Sequence, residues 1–307
     1  MDMDGTIYRG EELFPTTLPF LRRLESLGIG YTFLTNNSSR SVDDYIEYLY
    51  KFGIRIRRKQ MFTSTLNAVA FLKSGHPASK RLFMIGTEVF RREMEEYGFH
   101  DVNMTDEPDA VVTAFDTALS YERLCKAAWW IKRGKLWIAT HPDTECPTER
   151  DTTLIDCGSI IACLEKFSGL SPVVLGKPNP EILCEIMRRN GVAPEETAMC
   201  GDRLYTDLRL AANAGVTGVL ISPDPPEKIP GNFADITVTD LEEFGKQISL
   251  AKCGKLENCG KLRSGKNGNQ NADKRKSDDR SGGDAKGCKE TKRIEKVIEK
   301  PDYSTAR

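Results

Sequence analysis

Four short stretches carry side chains that can do chemistry in combination. "DMDGTIYRG" sets Asp2 and Asp4 two residues apart, and "FLTNNSSR" places Thr35, Asn36 and Asn37 directly after an apolar run. "VLGKPNPEI" places Lys177 after another such run, and "AMCGDRLYTD" brings Asp202 followed by Asp207. Each alone has an ordinary explanation. An aspartate ahead of a helix is often a cap, Thr-Asn-Asn is a common turn, and a lysine in a Pro-rich loop is commonly solvated. Together they supply what phosphoryl transfer from a monoester needs. One carboxylate can attack phosphorus and become an acyl phosphate. A second can protonate the leaving alcohol and then deprotonate water. Carboxylate oxygens can hold a hard divalent cation that offsets repulsion between nucleophile and phosphate. A hydroxyl, backbone amides and a lysine can bind the equatorial oxygens. Residues two apart in an extended segment point the same way, so Asp2 and Asp4 can face one phosphate.

Such a set works only if the fold brings it to one place. Up to about position 245 the chain alternates strand and helix signals. "PTTLPFLRRLESLG" sets Leu18, Leu21, Leu24 and Leu27 at helical spacing and stops at Gly28. "YTFLT" reads as a strand, and Ser41 with Asp44 reads as a capping box opening the helix "VDDYIEYLYKFG". "RLFMIG", "DAVVTAF", "KLWIAT", "PVVLG", "ETAMCGD" and "TGVLIS" read as further strands separated by helices. This alternation predicts βαβ units and mostly parallel sheets. All four motifs then fall at strand ends, where ligands bind in an open parallel sheet.

The motifs, in this order, resemble the haloacid dehalogenase superfamily of phosphatases, and within it the NagD-like, p-nitrophenyl-phosphatase-like group (class IIA). The resemblance covers residues 1–245. It rests on "DMDGTIYRG", "TNNSSRS", "GKPNP" and "GDRLYTD", with the middle stretch "AFDTALSYERLCKAAWWIKRGKLWIATHPDTECPTE" similar to that group's cap. It implies an α/β fold, a Rossmann-like parallel-sheet core with an inserted α/β cap domain and a disordered C-terminal tail. The core would comprise 1–78 and 175–246, the cap 79–174 and the tail 247–307. It implies a phosphatase of small phosphomonoesters with Asp2 as nucleophile and Asp4 as general acid/base. Mg²⁺ would be held by Asp2, the Asp4 carbonyl and Asp202, with Asp207 orienting the ligands. Thr35, Asn36, Asn37 and Lys177 would bind phosphate. His141, Asp143 and Glu145 are the cap candidates for contacts with the leaving group. The family usually has Asn where this chain has His141, which reads as a neutral loop change or an altered contact. Trp129 and Trp130 read as cap packing.

The family also carries an apolar strand before the nucleophile, and only Met1 precedes Asp2 here. The first core strand is therefore expected to be missing, through a start placed too late or a true truncation. Losing about five buried apolar residues, at ~1.5–3 kcal/mol each, is expected to weigh heavily against a net stability of ~5–15 kcal/mol. The alternative to an enzyme is accordingly a truncated, non-catalytic phosphate-binding or scaffold homologue.

Composition narrows the partners. The 307 residues are 39% hydrophobic and 29% charged, with formal net charge −1. That balance favours neither nucleic acid nor an anionic membrane surface, and no apolar run approaches the ~18 residues of a membrane span. The nine scattered cysteines suit free thiols in a reducing cytoplasm. A small-molecule phosphate ester is the expected partner, with a homodimer through the cap as a further expectation. The Lys-, Gly- and Asp-rich tail lacks the apolar residues to offset ordering entropy. Cys253, Cys259 and Cys288 in it have no tight Cys-x-x-Cys spacing for zinc.

Overall fold

The computed structural model describes residues 1–146, 148 and 151–261, the last nine by their backbone alone. The expected tail lies outside the described residues from 262 onward, as does Cys288.

Two groups of parallel strands build the molecule. One is a five-stranded sheet in the order Val173–Val174, Leu136–Ala139, Ala110–Thr113, Arg81–Ile85, His100–Asp101. Neighbouring strands are parallel, in registers such as Leu82 with Ala110 and Val111 with Trp137. Its central strands, "RLFMI", "AVVT" and "LWIA", are near-continuously apolar because both faces are covered. Period-2 alternation divides them. Phe83, Ile85, Val111 and Trp137 meet Ala127, Ile131, Ile160 and Leu164 from helices Tyr121–Lys132 and Cys157–Ser168. Leu82, Met84, Ala110 and Val112 face the other way, onto Ala68, Leu72, Phe90 and Met94 from helices Ser64–Gly75 and Glu88–Glu96. Trp130, 5% exposed, sits in the first cluster as expected; Trp129, 42% exposed, lies outside it, so its expected packing role is corrected.

The second group holds the four motifs. Phe33–Thr35 pairs in parallel with Met61–Thr63, and Ala198–Gly201 pairs with Thr217–Ile221, which pairs with Ile236–Val238. Residues 1 and 2 lie between these two pieces. Met1 N donates to Thr32 O and Met1 O accepts from Leu34 N, while Asp2 N donates to Cys200 O. Two residues thus make the rungs that join the pieces, and no strand precedes Tyr8–Arg9 among the described residues. Helices Thr17–Ser26, Val42–Lys51 and Glu181–Asn190 cover this group with a shared core containing Met3, Phe20, Leu34, Leu49, Ile182 and Val219. The Ser41 and Asp44 capping box forms as its spacing predicts. Helix Leu241–Lys261 runs past position 247, where the sequence suggested that the folded part ends. Ile248 and Ala251 are buried in the same core, which explains the extension. Among the described residues no helix is long and apolar enough to cross a membrane.

Two antiparallel ribbons complete the fold. Tyr8–Arg9 pairs with Glu12–Leu13 just after the first motif, and Glu145–Cys146 pairs with Leu154–Ile155 beyond His141.

Candidate active site

Strand ends set the positions of the candidate side chains. Asp2 makes one of the rungs that join the two core pieces, through its N–H to Cys200 O, and Thr35 ends the strand Phe33–Thr35. Gly201 ends the strand Ala198–Gly201, so Asp202 stands just beyond it. A five-residue π turn, Leu204–Leu208, follows and leads into helix Arg209–Ala214. Wide turns of this kind recur at functional sites. This one turns Asp207 back toward the strand end, where its Oδ2 accepts from Arg203 N at 3.2 Å. The approach is close enough that a Cβ at Gly201 would fall 2.3 Å from Asp207 Oδ2. Gly5 meets the same constraint twice. Its φ is +85°, which favours glycine, and a Cβ there would lie 2.3 Å from Asp202 Oδ2.

Lys177 is the centre of the arrangement. Its Nζ donates to Asp2 Oδ1 at 2.5 Å and to Asp207 Oδ1 at 2.6 Å. The lysine is 5% exposed, Asp2 7% and Asp207 fully buried. Burial alone would lower the lysine's pKa, but the two carboxylates more than reverse this and hold it above its ordinary value. One ammonium does not neutralise two carboxylates. Asp207 is therefore held well above the usual carboxylate range, first by burial and then by the charge of Asp2. Asp202 is raised for the same two reasons. Carboxylate oxygens of Asp2, Asp202 and Asp207 lie within 4.8 Å of one another. Three hard oxygen donors with a single ammonium between them fit a divalent cation such as Mg²⁺.

The other expected residues divide. Thr35 is buried, and its Oγ1 accepts from Asn37 N at 3.1 Å; Asn37 Oδ1 accepts from Ser39 N at 2.7 Å, which shapes the turn. Asn36 is 5% exposed and already engaged. Its Oδ1 accepts from Lys177 N at 2.8 Å, while its Nδ2 donates to Lys177 O at 3.2 Å and to Asp143 Oδ2 at 3.1 Å. Asp4 is exposed and bridges to Tyr8 at the base of the first ribbon. Glu145 is exposed and accepts from Thr153 Oγ1 at 3.0 Å, within the second ribbon. His141 is fully buried, with Nε2 2.9 Å from Asp156 Oδ1 and Nδ1 2.9 Å from Thr140 Oγ1. It faces the interior of the protein, away from solvent.

Arg203 was not among the expected residues. Partial desolvation of its guanidinium opposes the charge, but Asp202, Asp2, Asp143 and Asp207 more than offset this and raise its pKa. Its place beside Asp202 in "GDRLYTD" was the available signal. Ser64, whose Oγ donates to Asn36 O at 2.6 Å, had none, because the contact spans separate elements.

Comparison with known proteins bears on this geometry. A family profile described as haloacid dehalogenase-like hydrolase matches residues 1–100, and a second HAD-hydrolase-like profile matches 174–224. The chain is 34% identical to the 5'-nucleotidase YutF of Bacillus subtilis over 72% of its own length and 85% of that protein. Among solved structures it resembles a 4-nitrophenylphosphatase from Thermotoga maritima, with TM-score 0.74 and 37% identity over 80% of this chain and 94% of that one. A glycerol phosphate phosphatase from Mycobacterium tuberculosis, in complex with magnesium, has TM-score 0.71 and 30% identity over 78% of this chain and 74% of that one.

Proposed function

The chain belongs to the haloacid dehalogenase-like hydrolases, in their NagD-like group, and we propose that within them it is a Mg²⁺-dependent phosphatase of small phosphomonoesters. The observation that carries this reading is the buried clamp of Lys177 on Asp2 and Asp207, with Asp202 alongside.

In this reading Asp2 attacks the phosphorus, forming an acyl–phosphate bond as the ester P–O bond breaks. Asp4 gives its proton to the departing alkoxide. It then takes a proton from water, which attacks the same phosphorus, releases inorganic phosphate and restores Asp2. Exposure of Asp4 suits a group that exchanges protons with a leaving group and with water. Mg²⁺, held by Asp2, the Asp4 carbonyl and Asp202, would supply the positive charge that lets an anionic carboxylate approach an anionic ester. Lys177 fixes Asp2 through one hydrogen bond and can share charge with the phosphate, while Asp207 holds the lysine in place. At the Thr35–Asn37 turn, the Thr35 hydroxyl hydrogen is the group offered to a remaining phosphate oxygen, while Asn37 N–H holds the hydroxyl oxygen in place.

The substrate class follows the names of the relatives, a 5'-nucleotidase, a glycerol phosphate phosphatase and a 4-nitrophenylphosphatase. We assign the core to 1–78 with 175–246, and the cap to 79–174. Support comes from a sheet confined to Arg81–Val174, one face of which is covered wholly from within that span. A homodimer through the cap is supported by Phe167, Leu170 and Val173, all exposed in the segment that leads into and forms the sheet-edge strand Val173–Val174. Cys125, Cys157, Cys163, Cys184 and Cys200 are free thiols, which suits a cytoplasmic setting. The test is hydrolysis of p-nitrophenyl phosphate by the full chain. Turnover should require Mg²⁺ and stop on chelation. Turnover that persists undiminished in excess chelator would contradict the metal assignment.

A further inference from the structure

We propose that Asp143 and Asn36 form a latch between the inserted segment and the core, and that the latch sets the position of Lys177. Asp143 then acts through Asn36 as a positioning residue rather than as a contact for the leaving group.

The side chain of Asn36 is the joint of the latch. A terminal amide offers two donors and one acceptor atom. Here the acceptor takes Lys177 N–H, and the donor nitrogen reaches both Lys177 O and Asp143 Oδ2. Asn36 therefore grips both backbone polar groups of the lysine whose Nζ spans Asp2 and Asp207. Nothing of this amide is left over for a phosphate.

The surroundings leave little freedom for other arrangements. A Cβ at Gly176 would lie 2.6 Å from His141 Cβ, 2.6 Å from Thr140 O and 2.8 Å from Asn36 Oδ1. Residues 140 and 141 are thus pressed against the backbone that precedes Lys177. Behind it, His141 is tied to Asp156, the residue that caps helix Cys157–Ser168, and Asp143 O accepts from Gly158 N at 2.7 Å. Asp143 is consequently fixed to the N-terminus of that helix. The connected path runs from this helix through Asp143 and Asn36 to Lys177 and Asp2. A shift of the inserted segment would pull first on the Asn36 amide and then on the lysine.

This inference rests on the phosphatase reading, so wild-type turnover is measured first; its absence would count against that reading and not against the latch. Asp143→Ala removes the acceptor. It should lower kcat on p-nitrophenyl phosphate by about tenfold to a hundredfold, the usual effect of losing a supporting hydrogen bond at such a site. KM should stay near the wild-type value. Asp143→Asn, whose carbonyl still accepts from Asn36, should recover most of the loss. The effect of Asp143→Ala should also largely vanish in an Asn36→Ala background. A readout independent of turnover is the ¹⁵Nζ resonance of Lys177 in the full chain, which should shift in Asp143→Ala and return in Asp143→Asn. The latch is overturned if Asp143→Ala raises KM for bulky leaving groups with kcat intact, if the two substitutions act additively, or if the Lys177 resonance does not move.

Discussion

Replacing Lys177 by methionine probes the centre of the site without changing side-chain length much. The ammonium is 5% exposed and makes two short contacts, 2.5 Å to Asp2 and 2.6 Å to Asp207. Removing it leaves two buried carboxylates with no counter-charge between them. Breaking a buried pair by deleting one partner costs about 3–5 kcal/mol, far above the ~0–1 kcal/mol of a surface pair. The metal-free variant should therefore lose about 3–5 kcal/mol of unfolding free energy near pH 8, read from urea denaturation in the presence of chelator. The loss should shrink toward acid pH. Asp207 already titrates well above the usual carboxylate range, and a protonated Asp207 no longer needs the ammonium. A loss below about 1 kcal/mol near pH 8, or one of equal size in acid, would refute the view that Lys177 is held by charge in a desolvated site.

Other substitutions read separate parts of the account. Asp4→Asn should slow hydrolysis of an alkyl phosphate more than that of p-nitrophenyl phosphate, because p-nitrophenolate leaves without a proton; equal losses would argue against Asp4 as the acid. Asp2→Asn should abolish turnover, since an amide does not attack phosphorus. Glu93, 2% exposed on helix Glu88–Glu96, accepts from Val42 N at 2.8 Å and is pushed by burial from 4.5 up to about 7. Its folded pKa lies above its unfolded one, so its contribution is full below about pH 4.5 and lost as pH rises through about 7. That difference corresponds to about 3 kcal/mol. Glu93→Gln keeps the acceptor and removes the charge, so chemical denaturation should show it gaining stability on wild type as pH rises across this window; a constant difference would contradict the assignment.

Periodicity made much of this protein legible. "RLFMI" and "DAVVTAF" read as buried strands because both faces of their sheet are covered, and the Ser41 box needed only its own four residues. The two ribbons escaped because strands of two residues, Tyr8–Arg9 and Glu145–Cys146, carry no period. The chemical side chains were legible by type and order, and the structure brings Asp2, Lys177, Asp202 and Asp207 together. Their wiring was not legible. Asn36 resembled a phosphate ligand from its place after a strand, yet it spends its amide on Lys177 and Asp143, partners more than 100 positions away. His141 stood in a stretch that suggested contact with the leaving group, but its ring is closed in by Asp156 and Thr140. The Asn36 pairings span separate elements and leave no trace in local spacing, and the burial that closes in His141 comes from packing, which spacing does not show.

The most direct measurement is where the phosphoryl group sits during turnover. The full chain is mixed with Mg²⁺ and substrate, quenched in acid, and treated with borohydride, which reduces an acyl phosphate of aspartate to homoserine. Peptide mass mapping then reads each aspartate. A nucleophilic Asp2 predicts homoserine at position 2, dependent on Mg²⁺ and absent at positions 4, 202 and 207. Homoserine at another aspartate, or rapid turnover with none at position 2, would contradict it.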